Sequence, residues 1–273
     1  MEVKKEFQRE YDPAHPNYER WQKARELSKE RAEFVGNVIS NNLNLNELFI
    51  LDLGAGEGST SELLSQNNFV VSLEPKPERI TKIRISDSLK PVMANSLNLP
   101  LRKSVFDLII LQDVIEHLSI DKKFVEVLKN ILKKNGIIYL STPNRFSFFN
   151  IISDPHWGMP FLCLFKRNQI KKYFLNYFRK SDYNRDDIAE LFSLKDLYNL
   201  FDESFSINLN TKFSTEYLLN GGKGLVWSKF HLLLIKYLRI FGLTSIIKNI
   251  ANNKNGFLNK YLTPTFYLIL KKK

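Results

Sequence analysis

Cysteine is almost missing from this chain of 273 residues: Cys163 stands alone. One thiol can form neither an internal disulfide nor a multi-thiolate zinc site, and cysteine used so sparingly fits a reducing compartment. Long apolar runs are missing too. No stretch of about 18 uncharged apolar residues occurs, which argues against a transmembrane helix. Residues Met1–Glu6 are charged where a signal peptide would be apolar. The expected location is therefore cytoplasmic. Internal repeats and low-complexity linkers are likewise absent. What is present, 44% hydrophobic and 25% charged residues, is globular composition with room for one large α/β domain or two small ones.

Acidic residues run short in one part only. Residues 1–150 carry 21 Lys and Arg against 20 Asp and Glu, whereas residues 151–273 carry 19 against 9. After Glu216 there is no acid at all. A basic half predicts an anionic partner: membrane headgroups, a phosphorylated substrate or nucleic acid. The competing explanation is solubility together with a Lys- and Asn-rich habit.

Apolar periodicity orders the rest. Residues 17–40 read as a helix that the Asn-rich run 41–46 ends. Strands are predicted at Leu48–Leu53, Phe69–Leu73, Pro91–Ala94, Val105–Leu111 and Ile137–Ser141. Helices are predicted from Ser59 to Gln66 and from Ile120 to Lys133, the latter stopping at Asn135-Gly136, a C-terminal cap signal. Such alternation argues for a parallel sheet covered on both faces. After Pro143 the rhythm breaks, then resumes with a helix at Ser193–Phe201 (Ser193 as N-cap), a strand at Phe205–Leu209, a basic helical block over 217–262 and a last strand at Thr265–Leu270. The expected organisation is a single doubly wound domain over 1–273. It comprises a helical N-terminal segment 1–45, a core 46–143, and insertions 144–190 and 211–262 that form a basic, aromatic cap. Insertions after the ends of parallel strands lie where such sheets bind ligands.

The most informative stretch is Ile50-Leu51-Asp52-Leu53-Gly54-Ala55-Gly56-Glu57-Gly58-Ser59-Thr60. A strand runs into a Gly-rich turn that opens a helix, and glycines let a ligand approach the backbone. Glu74 follows the next strand, where a carboxylate suits the two hydroxyl donors of a ribose. A dinucleotide fingerprint would need Gly where Ser59 stands, and an acid at Asp52 gives a pyrophosphate nothing. It suits a cation or ammonium group such as the α-amino group of a methionine moiety. The phosphate-binding P-loop pattern is absent.

This run resembles motif I of the class I S-adenosylmethionine-dependent methyltransferases, and Glu74 matches the acid that those enzymes place after their second strand. Asn95-Ser96-Leu97-Asn98-Leu99-Pro100-Leu101 with Ser104-Val105-Phe106-Asp107, and Gln112-Asp113-Val114-Ile115-Glu116-His117-Leu118, resemble two further family signatures. The resemblance covers about residues 45–145 well and 190–210 loosely. It implies a Rossmann-like, mostly parallel seven-stranded sheet and S-adenosyl-L-methionine as cofactor. Gly54, Ala55 and Gly56 would pass under the methionine part, with Asp52 beside it. Glu74 would hold the ribose, Asn95, Ser96 and Leu97 would border the adenine, and Gln112 would line the pocket. The family usually has Asp at the position of Asn95, a departure expected to alter affinity rather than abolish binding.

Methyl transfer needs alignment and, for many acceptors, a base. His156, in Asp154-Pro155-His156-Trp157-Gly158, is the first candidate for that base, on a loop past the fifth strand. Its competing reading is a turn with a solvent-facing His. His117 is the second candidate, and Arg145 is a candidate anchor for an anionic or hydroxylated acceptor. Asp113, Glu116 and His117 together offer metal-ligand chemistry, although no resident metal is expected. Near the N-terminus, Tyr18 and Arg25 are candidates for the methionine carboxylate, against a solvated helix face.

Residues 161–180 and 225–250 interleave lysine and arginine with large apolar residues. One reading is a pair of basic helices at an anionic membrane surface, placing the protein peripherally at the inner face. The other is a helical cap on the sheet. The expected function is methylation of a small-molecule or lipid-linked metabolite, such as a sugar, quinone or polyketide, at oxygen or carbon. The alternatives are an RNA or DNA methyltransferase, not expected because the N-P-P-Y-type motif is absent and no RNA-binding module is appended, and a non-catalytic cofactor-binding scaffold.

Overall fold

A computed structural model describes residues 11–95, 102–185, 187–226 and 229–273, with backbone alone for 229–231. In chain order its main elements are helices α1 (Tyr18–Glu26) and α2 (Ser28–Ser40), strand β1 (Phe49–Leu53), α3 (Ser59–Leu64), β2 (Phe69–Leu73), β3 (Leu89–Val92), β4 (Phe106–Gln112), α4 (Lys122–Ile131), β5 (Leu132–Pro143), α5 (Leu194–Phe201), β6 (Phe205–Leu209), α6 (Thr211–Leu219), α7 (Lys229–Ile240), α8 (Thr244–Ile250) and β7 (Thr265–Lys272). The strands follow the order β3-β2-β1-β4-β5-β7-β6 in a seven-stranded sheet. β7 pairs antiparallel with both β5 and β6. This is the doubly wound, mostly parallel fold expected.

The chain divides into two compact units, one of residues 1–96 with 212–252, the other of residues 97–211 with 253–273. In the first, β1, β2 and β3 pair parallel, with the rings of Phe49 and Phe69 stacked 4.7 Å apart across β1 and β2. Ile50, Leu51 and Leu53 are wholly buried, as strands covered on both faces are. α2 buries Phe34, Val35, Val38 and Ile39. The single N-terminal helix expected over 17–40 is two helices, divided at Leu27. α6 meets α2 through Phe34 and Tyr217, whose rings lie 5.0 Å apart. After α6 the backbone at Gly224 comes so near α2 that a Cβ there would stand 2.6 Å from the Arg31 nitrogen, at φ +88. Only glycine fits that approach.

In the second unit, α4 starts at Asp121, whose carboxylate accepts from the Phe124 amide at 3.0 Å, and buries Phe124, Val125, Leu128 and Ile131. α4 ends earlier than predicted, and Asn135-Gly136 is not its cap. Strand β5 already begins at Leu132, and its pairing with β4 jumps from Phe106–Leu132 to Leu108–Ile137. Gly136 sits within that irregularity, where a Cβ would be 2.8 Å from the Leu132 side chain and 3.0 Å from the Asp107 carbonyl. A bulge glycine and a cap glycine look alike in sequence. α5 carries the cap predicted for it: Ser193 Oγ accepts from the Asp196 amide, and Asp196 accepts from the Ser193 amide. The first insertion has its own core of Trp157, Leu162, Ile170, Phe174, Leu175 and Ile188. It is fastened by Asn144, which donates to the carbonyls of Asn259, Lys260 and Thr263, and by Asn150, which donates to those of Asn144 and Pro264.

Candidate functional site

At the C-terminal end of β1 the chain turns through Gly54 (φ 72), Gly56 (φ 60) and Gly58 (φ 87) before α3. The amides of Gly54 and Ala55 both donate to the Leu73 carbonyl, at 2.8 and 3.0 Å, so the turn is laid across the end of β2. There Glu74 accepts from the Gly56 amide (2.9 Å) on one oxygen and from the Lys76 amide (3.1 Å) on the other. Burial pushes the Glu74 carboxyl above the ordinary value, against the opposing pull of Arg79, Lys76 and those two amides. A carboxylate has about four acceptor positions, so capacity remains for two further donors such as vicinal hydroxyls. A Cβ placed on Gly56 would meet nothing within 4 Å, so the loop faces open space on that side.

Asp52 lies below the turn, 2% exposed. It accepts from Ser61 Oγ at 2.6 Å, which in turn accepts from Ser72 Oγ at 2.6 Å. Burial pushes its carboxyl up from 3.8 to about 6; the Ser61 hydrogen bond opposes the rise and the Glu74 charge adds to it. A buried carboxyl this reluctant to ionise is stabilised by a cationic partner. Open space over a positive-φ glycine, a buried acid beneath it and a buried acid at its flank fit the methionine and ribose ends of S-adenosyl-L-methionine.

The N-terminal segment joins this loop by contacts the sequence did not signal. Tyr11 Oη donates to Glu57 Oε1 at 2.8 Å, and Lys82 Nζ reaches the same oxygen at 2.7 Å. Arg25 and Lys82 both stand over the Tyr11 ring, at 4.7 and 4.3 Å from its centre. Arg25 is thus placed against an aromatic face, while His15 stacks on Trp21 at 4.5 Å. Asn95 is exposed beyond β3, and Ser96, Leu97 and the rest of that motif to Leu101 lie outside the described residues. Gln112 ends β4, half-buried.

In the second unit, β4 leads through Asp113, whose φ of 54 is unusual for a non-glycine residue, into a tight turn at Ile115–His117. Glu116 is fully buried and accepts from the Thr142 hydroxyl at 3.0 Å. His117 Nδ1 lies 2.7 Å from the Asp187 carbonyl. A carbonyl only accepts, so Nδ1 carries a proton, and in the neutral ring that tautomer leaves the lone pair on Nε2. The His117 and His156 rings meet edge to face at 5.1 Å. One ligand atom from each of Glu116, His117 and His156 lies within 4.8 Å of the other two. This is the donor set able to hold a divalent cation. Of the three side chains that the sequence offered as possible ligands, Asp113 is not in this group: its carboxylate accepts from Ser141 Oγ at 2.8 Å, and His156 stands in its place.

The His156 loop is held by two hydrogen bonds to one carboxylate oxygen. Asp154 Oδ1 accepts from the amides of both His156 and Trp157 at 2.8 Å, while Trp157 is buried in the insertion core. Arg145 pairs with Glu190 at 3.3 Å and lies 4.0 Å from Asp196. Arg167, grouped by sequence with the basic helical surface, instead clamps the 115–119 turn. Its guanidinium donates to Ser119 Oγ and to the carbonyls of Glu116, Leu118 and Ile188. No spacing signal marks such a clamp, because its partners are mostly backbone carbonyls.

A family model described as a methyltransferase domain matches residues 51–140. A probable S-adenosylmethionine-dependent methyltransferase of Mycobacterium tuberculosis is 31% identical over 101 residues, 36% of this chain and 37% of that one. The ubiquinone/menaquinone biosynthesis C-methyltransferase of Wigglesworthia glossinidia brevipalpis is 31% identical over 135 residues, 44% of this chain and 52% of that one. The chain thus spans between about a third and a half of these curated relatives. Among solved structures, an S-adenosylmethionine-dependent methyltransferase of Mesorhizobium loti has the same fold, with a TM-score of 0.56 at 11% identity, covering 88% of this chain and 98% of that one. These matches fall on the turn and the strand ends described above, so residues 51–140 are similar to the methyltransferase domain of S-adenosylmethionine-dependent enzymes.

Proposed function

We propose that the protein transfers a methyl group from S-adenosyl-L-methionine to oxygen or carbon of a small-molecule or lipid-linked metabolite. The observation that carries this reading is the tie between the Gly56 amide and the buried Glu74 carboxylate, beside open space and above the buried Asp52. Two relatives of the matched region are named for C- and O-methylation in ubiquinone biosynthesis, the second from Rickettsia prowazekii at 28% identity over 121 residues. Those names support a hydroxylated or enolisable acceptor.

When bound, S-adenosyl-L-methionine would supply an electrophilic methyl carbon on sulfur, open to direct displacement by the acceptor with the thioether as leaving group. The residues of the chain do the rest. Asp52 and Glu74 bind the ammonium and ribose groups. His156 takes the acceptor's proton, and the buried Glu116 carboxylate stabilises the imidazolium that results. His117 holds the neighbouring position in one tautomer through Asp187. Arg145 acts as a positioning residue: it holds Glu190, whose amide donates to the Glu116 carbonyl at 2.8 Å.

Calorimetric titration with S-adenosylhomocysteine, with NAD as the control, tests the cofactor. Micromolar binding of the former alone is expected, followed by label transfer from radiolabelled methyl donor into a soluble or lipid fraction of a cell extract. Absence of binding would remove the catalytic reading.

A further inference from the structure

Residues 229–250 form two helices, α7 and α8, joined by a turn at Phe241-Gly242-Leu243. Their outward face is unusual. Leu233, Tyr237, Ile240, Phe241, Ile246 and Ile250 are all exposed, Phe241 by 70%. Gly242 takes φ +67 with nothing near its Cβ position, so Phe241 and Leu243 stand together at an open tip. Lys236 on α7 and Lys223 in the connection that precedes it are exposed, and no acid occurs anywhere after Glu216, against ten Lys and Arg. The base of the pair is fastened: Arg239 Nη2 donates to the Leu218 carbonyl at 3.2 Å, and Lys248 Nζ to Asn220 Oδ1 at 2.5 Å, both at the end of α6. Trp227 lies outside the described residues, as do the side chains of Lys229 and Phe230.

We infer that the α7–α8 pair docks on an anionic phospholipid bilayer, with the Phe241–Leu243 tip inserted among the acyl chains and the lysines at headgroup level. Three physical arguments select that occupant. Exposed apolar area of this extent on one face marks an interaction site. A second copy of the chain would bring cation against cation with no acid on the face to answer it. A nucleic acid would satisfy the lysines but leave leucine and isoleucine against phosphate and water. An anionic bilayer satisfies both, because amphipathic helices with basic polar faces lie in its interface plane. No helix among the described residues is long and apolar enough to cross a membrane, so the attachment lies in the surface. The inference is independent of the methyl acceptor and of the activity itself.

Vesicle co-sedimentation of the full chain tests it, using phosphatidylcholine alone and phosphatidylcholine with a third phosphatidylglycerol. Wild-type protein should partition at least tenfold more strongly onto the anionic vesicles, and raised salt should weaken that partition. Ile240→Ser combined with Phe241→Ser should lower it at least tenfold while leaving the circular dichroism spectrum unchanged, since both side chains are exposed. Lys236→Glu should weaken anionic binding and leave the small neutral-vesicle fraction alone. Equal partition of wild type and the serine variant, or no partition of wild type, would overturn the inference. So would a concentration-dependent dimer that the serine variant abolishes, or RNA binding that displaces the vesicles and survives in the serine variant.

Discussion

The Gly56 amide donates to Glu74 Oε2 at 2.9 Å, so the loop after β1 and the acid after β2 form one unit. Neither can shift without the other. The loop's positive-φ backbone is held open by a carboxylate that also has acceptor capacity for the ribose. Removing that carboxylate leaves the loop amide without its acceptor as well as deleting the proposed ribose contact.

Glu74→Ala and Asp52→Ala should therefore each weaken S-adenosylhomocysteine binding by roughly 1.5–3 kcal/mol, about 10- to 150-fold, the typical worth of a charge-assisted hydrogen bond. Calorimetry reads this directly. Glu74→Gln keeps an acceptor for the Gly56 amide and should lose less. Unchanged affinity in both alanine variants would break the assignment of the pocket.

The pH dependence of binding follows from the same two acids. Asp52 titrates near 6 in the free protein because burial disfavours its charge, and Glu74 is shifted in the same direction. Between the ordinary carboxylate value and about 6 the folded chain holds more protons than the unfolded chain, so unliganded stability falls as pH rises through that window. A ligand ammonium group stabilises ionised Asp52. Affinity for S-adenosylhomocysteine should then rise from pH 5 to pH 7, with proton release near pH 5.5. Titrations in two buffers of different ionisation enthalpy measure the release, and Asp52→Asn should remove most of it.

The strand-turn-helix around Gly54 and the acid at Glu74 were legible because backbone demand and residue type coincide there. Positive φ asks for glycine, and a strand end facing hydroxyls asks for a carboxylate. Strand β5 was less legible, because Asn135-Gly136 satisfies a helix cap and a bulge equally, and only the approach of the Asp107 carbonyl decides between them. His156 and His117 stand 39 positions apart in the chain, and no spacing rule places their rings at 5.1 Å. Arg167 was hidden for a related reason: a guanidinium serving carbonyls leaves no complementary residue type to find.

Gly224 offers a stability test away from the site. Gly224→Ala puts a methyl group against the α2 backbone at a φ that side-chain-bearing residues resist. The left-handed conformation alone costs about 1–2 kcal/mol and overpacking about 1–3 kcal/mol more. Denaturant unfolding should show a loss of at least about 2 kcal/mol with the slope unchanged.

Arg167→Lys keeps the charge but cannot reproduce the fork that reaches Ser119 Oγ and the Glu116 and Leu118 carbonyls together. It should cost about 1–3 kcal/mol of stability, the usual penalty for partners left unsatisfied. Because the 115–119 turn carries Glu116 and His117, turnover should fall while S-adenosylhomocysteine affinity stays within about twofold. A cofactor affinity loss as large as the turnover loss would overturn this reading of the clamp.

The histidine pair separates base from metal ligand. If His156 accepts the acceptor's proton, His156→Asn should lower kcat by roughly 10²–10⁴-fold, the usual contribution of a general base, with cofactor affinity unchanged. Zinc should inhibit the wild type, because Glu116, His117 and His156 present three donors within 4.8 Å and the cation would occupy the lone pair the reaction needs. A chelator should then restore activity. His117→Ala should weaken zinc inhibition at least tenfold, since two ligands remain where three stood. Activity that instead requires the divalent ion, and disappears with chelator, would assign the same three side chains to a catalytic metal and remove His156 as the base.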